Sequence, residues 1–448
     1  MDRFFNGIRC RNGVWLVLSL ASLLPMAAPA AANTSAGAEF PYPALQHLSL
    51  AQAQHLALQG NWDLLAAAAG VDAATAQKIV AHEFPNPTLS LSTLKINVDN
   101  QPNSTLAGNG LWDRSYDTIF AVNQLFEIGG KRRNRRLSAQ AGFEAAKAQF
   151  FDAKRTLDLG VARAYLAAAL ADENVSVLRQ SAGTLREEAR LAEVRLRAGE
   201  ISAADKNQIE ISAERFALDA RAAESAAAQA RVALEVLLGV PQPKADCVLD
   251  DHLESLLAST VLPPTNSTGL WRPDVQAAEA AWRKAEADLR FQKAERIPDP
   301  TVLAQYEHQP PDTPNTVGFG VSFPLPIWNR NRGNILVAQA VREQARLAYE
   351  KVRAQAVADI ATALLAYDDA ARRWQSYRDT IRPKSDEVRK TKAYAYQKGS
   401  ASLLDMLVAE RDDNDVRLAA MQAASDTAVA MATLKAATTE IQPAEVKK

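Results

Sequence analysis

The chain repeats itself at an interval of about two hundred residues, and this duplication restricts its fold more than any other feature. Four segments recur in the same order. An Ala-rich helical pattern leads into a proline pair in each half: residues 61–88 end in Pro85-Asn86-Pro87-Thr88, and residues 272–301 end in Pro298-Asp299-Pro300-Thr301. A strand pattern that turns basic follows, FAVNQLFEIGGKRRNRR at 120–136 and FGVSFPLPIWNRNRG at 319–333. Phe120 and Phe319, Val122 and Val321, and Ile128 and Ile327 share an offset of 199. A long Ala/Leu/Arg/Glu helix comes third. A glycine break comes fourth, RLRAGEISAAD at 195–205 and AYQKGSASLLD at 395–405, with Gly199/Gly399, Ser202/Ser402 and Asp205/Asp405 offset by 200.

Each unit therefore reads as helix, strand, loop, strand, long helix, glycine turn and returning helix. In TVGFGVSF, Val317, Phe319, Val321 and Phe323 alternate with Gly318, Gly320 and Ser322, a period of two with one apolar face. Rougher strands are expected at 88–96, 116–127 and 301–307, with polar loops at 98–115 and 308–315. Their length suits tilted membrane strands. Two strands per unit make four in the chain. Four tilted strands cannot close a barrel, and a bilayer tolerates no open sheet edge. If these strands span a membrane, several chains must share one barrel, and three chains would supply twelve strands.

The helices carry a coiled-coil pattern. Leu157, Val161, Ala164, Ala168, Ala171, Val175, Leu178, Ala182, Leu185, Ala189, Ala192 and Leu196 alternate spacings of four and three. Asp158, Arg163, Asp172, Arg179, Arg186 and Glu193 lie between them and suit a solvated face. No proline interrupts 131–240, so a helix over 131–198 would run on the order of 100 Å. Gly199 and Gly399 stand where such helices must reverse, because glycine takes the left-handed cap cheaply. Ser202/Asp205 and Ser402/Asp405 resemble capping boxes with Asp in place of Glu, and capping alone would account for them.

The N-terminus reads as a secretory signal: Arg3, Arg9 and Arg11, an apolar run from Val14 to about Leu24, and cleavage expected after Ala32. The formal net charge is −1, and removing residues 1–32 makes it −3, which gives no basic excess for nucleic acid. Cys10 lies within the signal and leaves Cys247 alone, so no intrachain disulfide is expected. No later segment has 18 uncharged apolar residues, and no transmembrane helix is expected. No P-loop, Rossmann glycine pattern, nucleophile elbow or HExxH occurs, so the chain is read as no enzyme, with no cofactor and no metal-ligand cluster. His47, His55, His82, His252 and His308 are scattered; His47 and His55, eight apart, fall near one helix face and read as surface residues. Asp412, Asp413 and Asp415 read as solvated. KRRNRR (131–136) is expected below the strands near lipid headgroups, with ordinary surface charge as the plain alternative.

With these segments in place, the sequence resembles the outer membrane factor family, to which TolC and OprM belong, over residues 45–440. LSLAQAQHLAL (48–58), PNPTLSL, RPDVQAAEAAW, NRNRGN and YQKGSASLLDML carry the resemblance. NQLFEIGGKRRNRR (123–136) and FPLPIWNRNRGNI (323–335) are most similar to its heavy-metal branch, the CzcC, CnrC and CusC type. The resemblance implies a mainly α fold with a membrane β-barrel: a homotrimer, four strands per chain in a shared 12-stranded barrel, and a long periplasmic α-helical barrel with an equatorial belt. The corresponding layout is signal peptide 1–32, an N-terminal segment and helix 33–86, strand pair 87–128, helical hairpin 129–240, equatorial linker 241–271, second-repeat helix 272–299, strand pair 300–328, second hairpin 329–437 and tail 438–448. Belt residues would come from 33–60, 240–271 and the tail.

The implied function is the outer-membrane channel of a tripartite RND-type efflux system. It would export heavy-metal cations, of the cobalt, zinc, cadmium, nickel or copper class, with a periplasmic adaptor and an inner-membrane pump as partners beside outer-membrane lipid. LLDMLV (403–408) matches the family's acidic ring at the periplasmic entrance and places Asp405 there; Val408 stands where TolC has a second acidic residue. Tyr396 matches a gate tyrosine, and Ala401 stands at the TolC gate-arginine position. The tips at Gly199, Ser202, Asp205, Gly399 and Ser402 would meet the adaptor. Two alternatives stay open: a multidrug or type I secretion duct, and a periplasmic coiled-coil scaffold with no pore.

Overall fold

The computed structural model describes residues 47–94, 117–259, 268–309 and 313–440. The expected signal, the loop tip at 98–115, and the tail beyond residue 440 lie outside the described residues. Two helices, α1 (Leu50–Gly60) and α2 (Trp62–His82), lead into strand β1 (Thr88–Leu94). Strand β2 (Asp117–Leu125) feeds helix α3 (Lys131–Arg197), which turns into α4 (Ala203–Leu237). A short helix α5 (Leu253–Ser259) lies in the linker. The second unit runs through α6 (Pro273–Ala294), β3 (Thr301–Gln309), β4 (Thr313–Ser322), α7 (Arg332–Ser376), α8 (Arg382–Gln397) and α9 (Leu403–Thr438).

The strands form one antiparallel sheet in the order β1-β2-β3-β4. Register pairs Leu89 with Val122, Leu91 with Phe120, Val122 with Ala304, Ala304 with Phe319, and Val302 with Val321. Paired residues share a face, so one face is a continuous apolar surface. It is open to the outside: Leu89 is 76% exposed and Phe319 83%. The other face carries Ser90, Ser92, Asn123, Gln305, Glu307, Gly318 and Gly320. Strands β3 and β4 run further than expected, to Gln309 and from Thr313, so the loop assigned to 308–315 is largely strand. Gln309 is the backbone partner of Thr313 in this extension, and the Tyr306 hydroxyl donates to Asn315 across it.

The heptad seam of α3 is realised. All twelve of its positions are buried or half-buried, with Val161, Ala168 and Leu185 almost fully enclosed. Alanines along α3, α4 and α9 let the helices approach closely. The second unit departs from this plan. Its long helix is broken by a π-helical turn at Tyr377–Ile381 before α8, where the first unit has an uninterrupted α3. Pro383 supplies the reason: it has no N–H to give the ladder, and its ring would press on the carbonyl four residues earlier.

A belt of short segments wraps the middle of α3. Leu48 forms a parallel bridge with Leu249, and the Tyr165 hydroxyl donates to the Leu48 carbonyl at 2.8 Å. The Asp251 carboxylate lies 3.0 Å from that hydroxyl and accepts the Leu50 N–H. Buried Glu235 accepts the backbone N–H groups of Lys244, Ala245 and Cys247, which folds the chain back after α4. Cys247 is a free, buried thiol, and burial beside Glu235 pushes it up to about 12. His47 precedes the Ser49 cap of α1 and bonds Asp250, so it does not share a helix face with His55.

The basic run after β2 is only partly surface charge. Lys131 is 5% exposed and bonds Asp299 at 2.7 Å, while the other Asp299 oxygen accepts the Ile128 N–H. Arg132 donates to the His82 carbonyl and covers the Phe84 ring, and Arg135 pairs with Glu127. These bonds join the first strand-to-helix corner to both proline turns. Arg133 and Arg136 remain exposed. Among the described helices α2 is long and apolar enough to cross a membrane by length and composition, which the sequence reading did not anticipate. It lies along α3 as a wall helix, the place α6 takes in the second unit.

Gly239 marks the tightest point of the belt. Its φ is +83°, and a Cβ there would lie 2.1 Å from the Gly60 carbonyl oxygen. Gly239→Ala is expected to cost on the order of 2–3 kcal/mol through backbone strain and collision, read as a lower thermal midpoint of the detergent-solubilised protein. Gly183→Ala, mid-helix with open space around it, is expected to be neutral or to stabilise by up to about 1 kcal/mol.

Candidate functional site

The two glycine turns are the far ends of the hairpins, and they are built alike. Gly199 and Gly399 both have φ +75°. In the first, the Gly199 N–H reaches the Leu196 carbonyl and the Glu200 N–H reaches Arg195; in the second, Gly399 reaches Tyr396 and Ser400 reaches Ala395. These are Schellman caps. Both following helices open with full capping boxes. Ser202 accepts the Asp205 N–H at 3.1 Å while Asp205 accepts the Ser202 N–H and hydroxyl, and Ser402 and Asp405 repeat the arrangement at 3.1 Å.

Asp405 is half exposed, and only one of its oxygens is used by the cap. The other faces Lys392 of α8 at 3.8 Å. Hydrogen bonds from Ser402, with Lys392 nearby, hold its carboxyl below the usual range. Tyr396 is half-buried, and the Arg195 guanidinium of the first hairpin stands 5.5 Å from its ring centroid. The two hairpin tips are thus tied by a cation–π contact. The sequence reading missed Arg195 because it sought an arginine on the second hairpin, where Ala401 stands. Aligning the two turns on their glycines would have placed Arg195 one residue from the counterpart of Tyr396.

About 20 Å above the tip, at 1.5 Å per residue, α8 and α9 are joined by buried charge. Asp413 is 2% exposed, a correction to the solvated position expected for it. Arg389 lies 3.1 Å from Asp413, 3.3 Å from Glu410 and 2.9 Å from Asp386. Arg417 reaches Asp413 at 2.8 Å and donates to Gln180 of α3. Ser181 of α3 donates to Asn414. Lys390 and Arg389 hold the Asp386 carboxyl down at about 2, and burial pushes Glu410 up. Asp412 and Asp415 are exposed, as the sequence suggested. The missed signal was pitch: Glu410, Asp413 and Arg417 recur at three and four, one helix stripe facing α8.

Between the hairpins, near the tips, a cleft of about 300 Å³ is lined by Leu185, Phe216, Leu404, Leu407, Val408 and Arg411. Among the described residues no group of three or more His, Cys, Asp or Glu is placed to hold a metal ion.

The family described as outer membrane efflux protein matches residues 53–240 and 270–440, one match on each repeat. The chain belongs to this family. It is similar to the cobalt-zinc-cadmium resistance protein CzcC of Cupriavidus metallidurans, 26% identical over 88% of this chain and 91% of that protein. The nickel and cobalt resistance protein CnrC of the same organism is 26% identical over 81% of this chain and 82% of its own length. The crystal structure of CusC, described with its transmembrane channel formation, superposes with a TM-score of 0.71 at 20% identity, covering 88% of this chain and 92% of that one. The chain is an outer-membrane efflux channel protein with the TolC-like fold. The sheet is its share of a membrane barrel, and α3, α4 and α7–α9 are its share of a periplasmic helical tube.

Three measurements check this description. Ser202→Ala and Ser402→Ala are each expected to lower stability by ~1 kcal/mol through loss of a cap. Arg389→Met takes the ion-pair partner from buried Glu410 and leaves Asp413 with Arg417 alone, and is expected to cost about 3 kcal/mol or more. The double variant Arg389→Met/Glu410→Gln recovers part of that loss in the same melts. For Asp386, the folded carboxyl titrates at about 2 against 3.8 for an ordinary aspartate. Its contribution is therefore complete above pH 3.8 and is lost as pH falls toward 2. The stability advantage of the native protein over Asp386→Asn should follow that window.

Proposed function

We propose that three copies of this chain form the exit duct of a tripartite RND-type efflux system whose cargo is heavy-metal cations of the cobalt, zinc, cadmium, nickel or copper class. The observation that carries the trimer is the sheet: among the described residues it has four strands, an outward apolar face, and unpaired edges at β1 and β4, which a bilayer allows only in a closed barrel. The two metal-resistance relatives carry the cargo. The exposed apolar sheet face is the contact with outer-membrane lipid. A pore-free coiled-coil scaffold would have no use for that face.

Within this reading residues 1–32 are removed on export, and the hairpins of 129–240 and 329–437 form the tube below strand pairs 87–128 and 300–328. The segments 33–60 and 240–271 and the tail 438–448 supply the belt, the helix within 33–86 is the first wall helix, and 272–299 is the second. Asp405 lines an acidic constriction at the entrance, with Tyr396 and Arg195 latching the hairpins. Gly199, Ser202, Asp205, Gly399 and Ser402, with the adjacent cleft, receive the adaptor that connects to the inner-membrane pump.

Two experiments test this. Asp405→Ala is expected to weaken block of single-channel conductance by divalent cations in planar bilayers; unchanged block removes Asp405 from the constriction. Deleting the gene is expected to lower tolerance to zinc, cobalt, cadmium or copper and leave dye and antibiotic tolerance intact. The reverse pattern would replace the metal cargo with a multidrug one.

A further inference from the structure

The duplication extends to strand register, and this determines how one chain meets the next. β1 pairs with β2 through Thr88 and Asn123, and β3 pairs with β4 through Thr301 and Ser322. Thr88 and Thr301 are the matching threonines of the two proline turns, 213 residues apart; Asn123 and Ser322 match at the strand offset of 199. Applying the two offsets to Leu91–Phe120 gives Ala304–Phe319, which is also an observed pair. The two hairpins are therefore equivalent residue by residue.

The junction between them, β2 with β3, pairs Asn123 with Leu303, Val122 with Ala304 and Ala121 with Gln305. The same offsets carry this junction onto the open edges. From it we infer that β4 of one copy pairs antiparallel with β1 of a second copy in one register: Ser322 opposite Ser90, Val321 opposite Leu91, Gly320 opposite Ser92, and Phe319 opposite Thr93. This inference rests on the trimeric channel reading and adds to it the contact that joins the copies.

Three observations select a second copy as the occupant. The edges belong to the same sheet whose inner junction already has this form, so the new contact continues an existing one. The pairs respect both faces: Val321 and Leu91 fall on the apolar side, and Ser322, Ser90, Gly320 and Ser92 on the polar side. A slip of one residue would turn Phe319 and Val321 inward. The helices agree as well. In the second unit α6 packs on both α3 and α7, whereas α2 packs on α3 and leaves Ile79 and Val80 64% and 52% exposed. The same shift sets α7 of the copy that contributes β4, with exposed Leu336 and Val337, along that face of α2 in the copy that contributes β1.

Directly opposed residues of an antiparallel pair have Cα atoms about 4.5–5.5 Å apart, within disulfide reach, while diagonal neighbours are about 7–8 Å apart. The test is oxidative crosslinking of the full chain in outer membranes, read on non-reducing gels. Ser322→Cys with Ser90→Cys, and Gly320→Cys with Ser92→Cys, are expected to link copies about tenfold faster than Ser322→Cys with Ser92→Cys, a two-residue slip that keeps the faces. Each single variant controls for the buried Cys247. Faster linking of the slipped pair overturns the register, as does an intact trimer on native gels in which no pair links. Absence of any oligomer on those gels overturns the trimeric reading itself, and the seam with it.

Discussion

A backbone in hydrocarbon must find every hydrogen-bond partner within protein, and the rest of this structure follows from how that demand is met. Each proline turn and each strand-to-helix corner exists to pass the chain between a sheet that satisfies its N–H and C=O groups sideways and helices that satisfy them lengthwise. Among the described residues four strands leave two rows unsatisfied, at β1 and β4. The fold is therefore complete only as an assembly, and the surfaces exposed on one chain, the apolar sheet face and the flanks of α2 and α7, are interior or lipid-facing surfaces of the whole.

Below the sheet the problem changes from hydrogen bonding to packing. A tube wall needs long helices that lie close together, and alanine seams supply closeness without bulk. Such a wall has little to fix its axial register, since alanine contacts discriminate weakly between one turn and the next. Polar contacts do that here. Tyr165 and Asp251 pin the belt to the middle of α3, Glu235 folds the linker through three backbone bonds, and the Arg389–Asp413–Arg417 cluster locks α8, α9 and α3 at one height. A buried charge pair is costly to misalign, because a displaced partner leaves an uncompensated charge in a poor solvent. These clusters set specificity of fit where the apolar seams supply cohesion.

The repeats are equivalent in their caps and strands and differ in their corners. In the first unit Gly129, Gly130 and Lys131 make a tight corner against Ile297 and Asp299 of the second. In the second unit Trp328, Asn329 and Arg330 take the matching positions at the offset of 199, and Trp328 is 94% exposed. The first corner meets its own chain and the second faces outward, so the two have diverged in the places where their surroundings differ.

The order of elements, the strand alternation, the glycine reversals and the heptad seam of α3 were legible in the sequence, because each is governed by neighbours within a few residues: side-chain alternation, helical pitch, and the left-handed backbone that glycine tolerates. The capping role of Ser202, Asp205, Ser402 and Asp405 was legible for the same reason. The burial of Asp413, the latch between Arg195 and Tyr396, and the use of Lys131, Arg132 and Arg135 as corner bonds were not, since each depends on residues far away in the chain that pitch and composition do not bring together. The sequence by itself determined that the chain is a doubled strand-and-hairpin unit that cannot close alone. Only the tertiary structure decided which charges are buried and which strand register carries from one unit to the next, because desolvation and cross-strand pairing are properties of what stands opposite a residue.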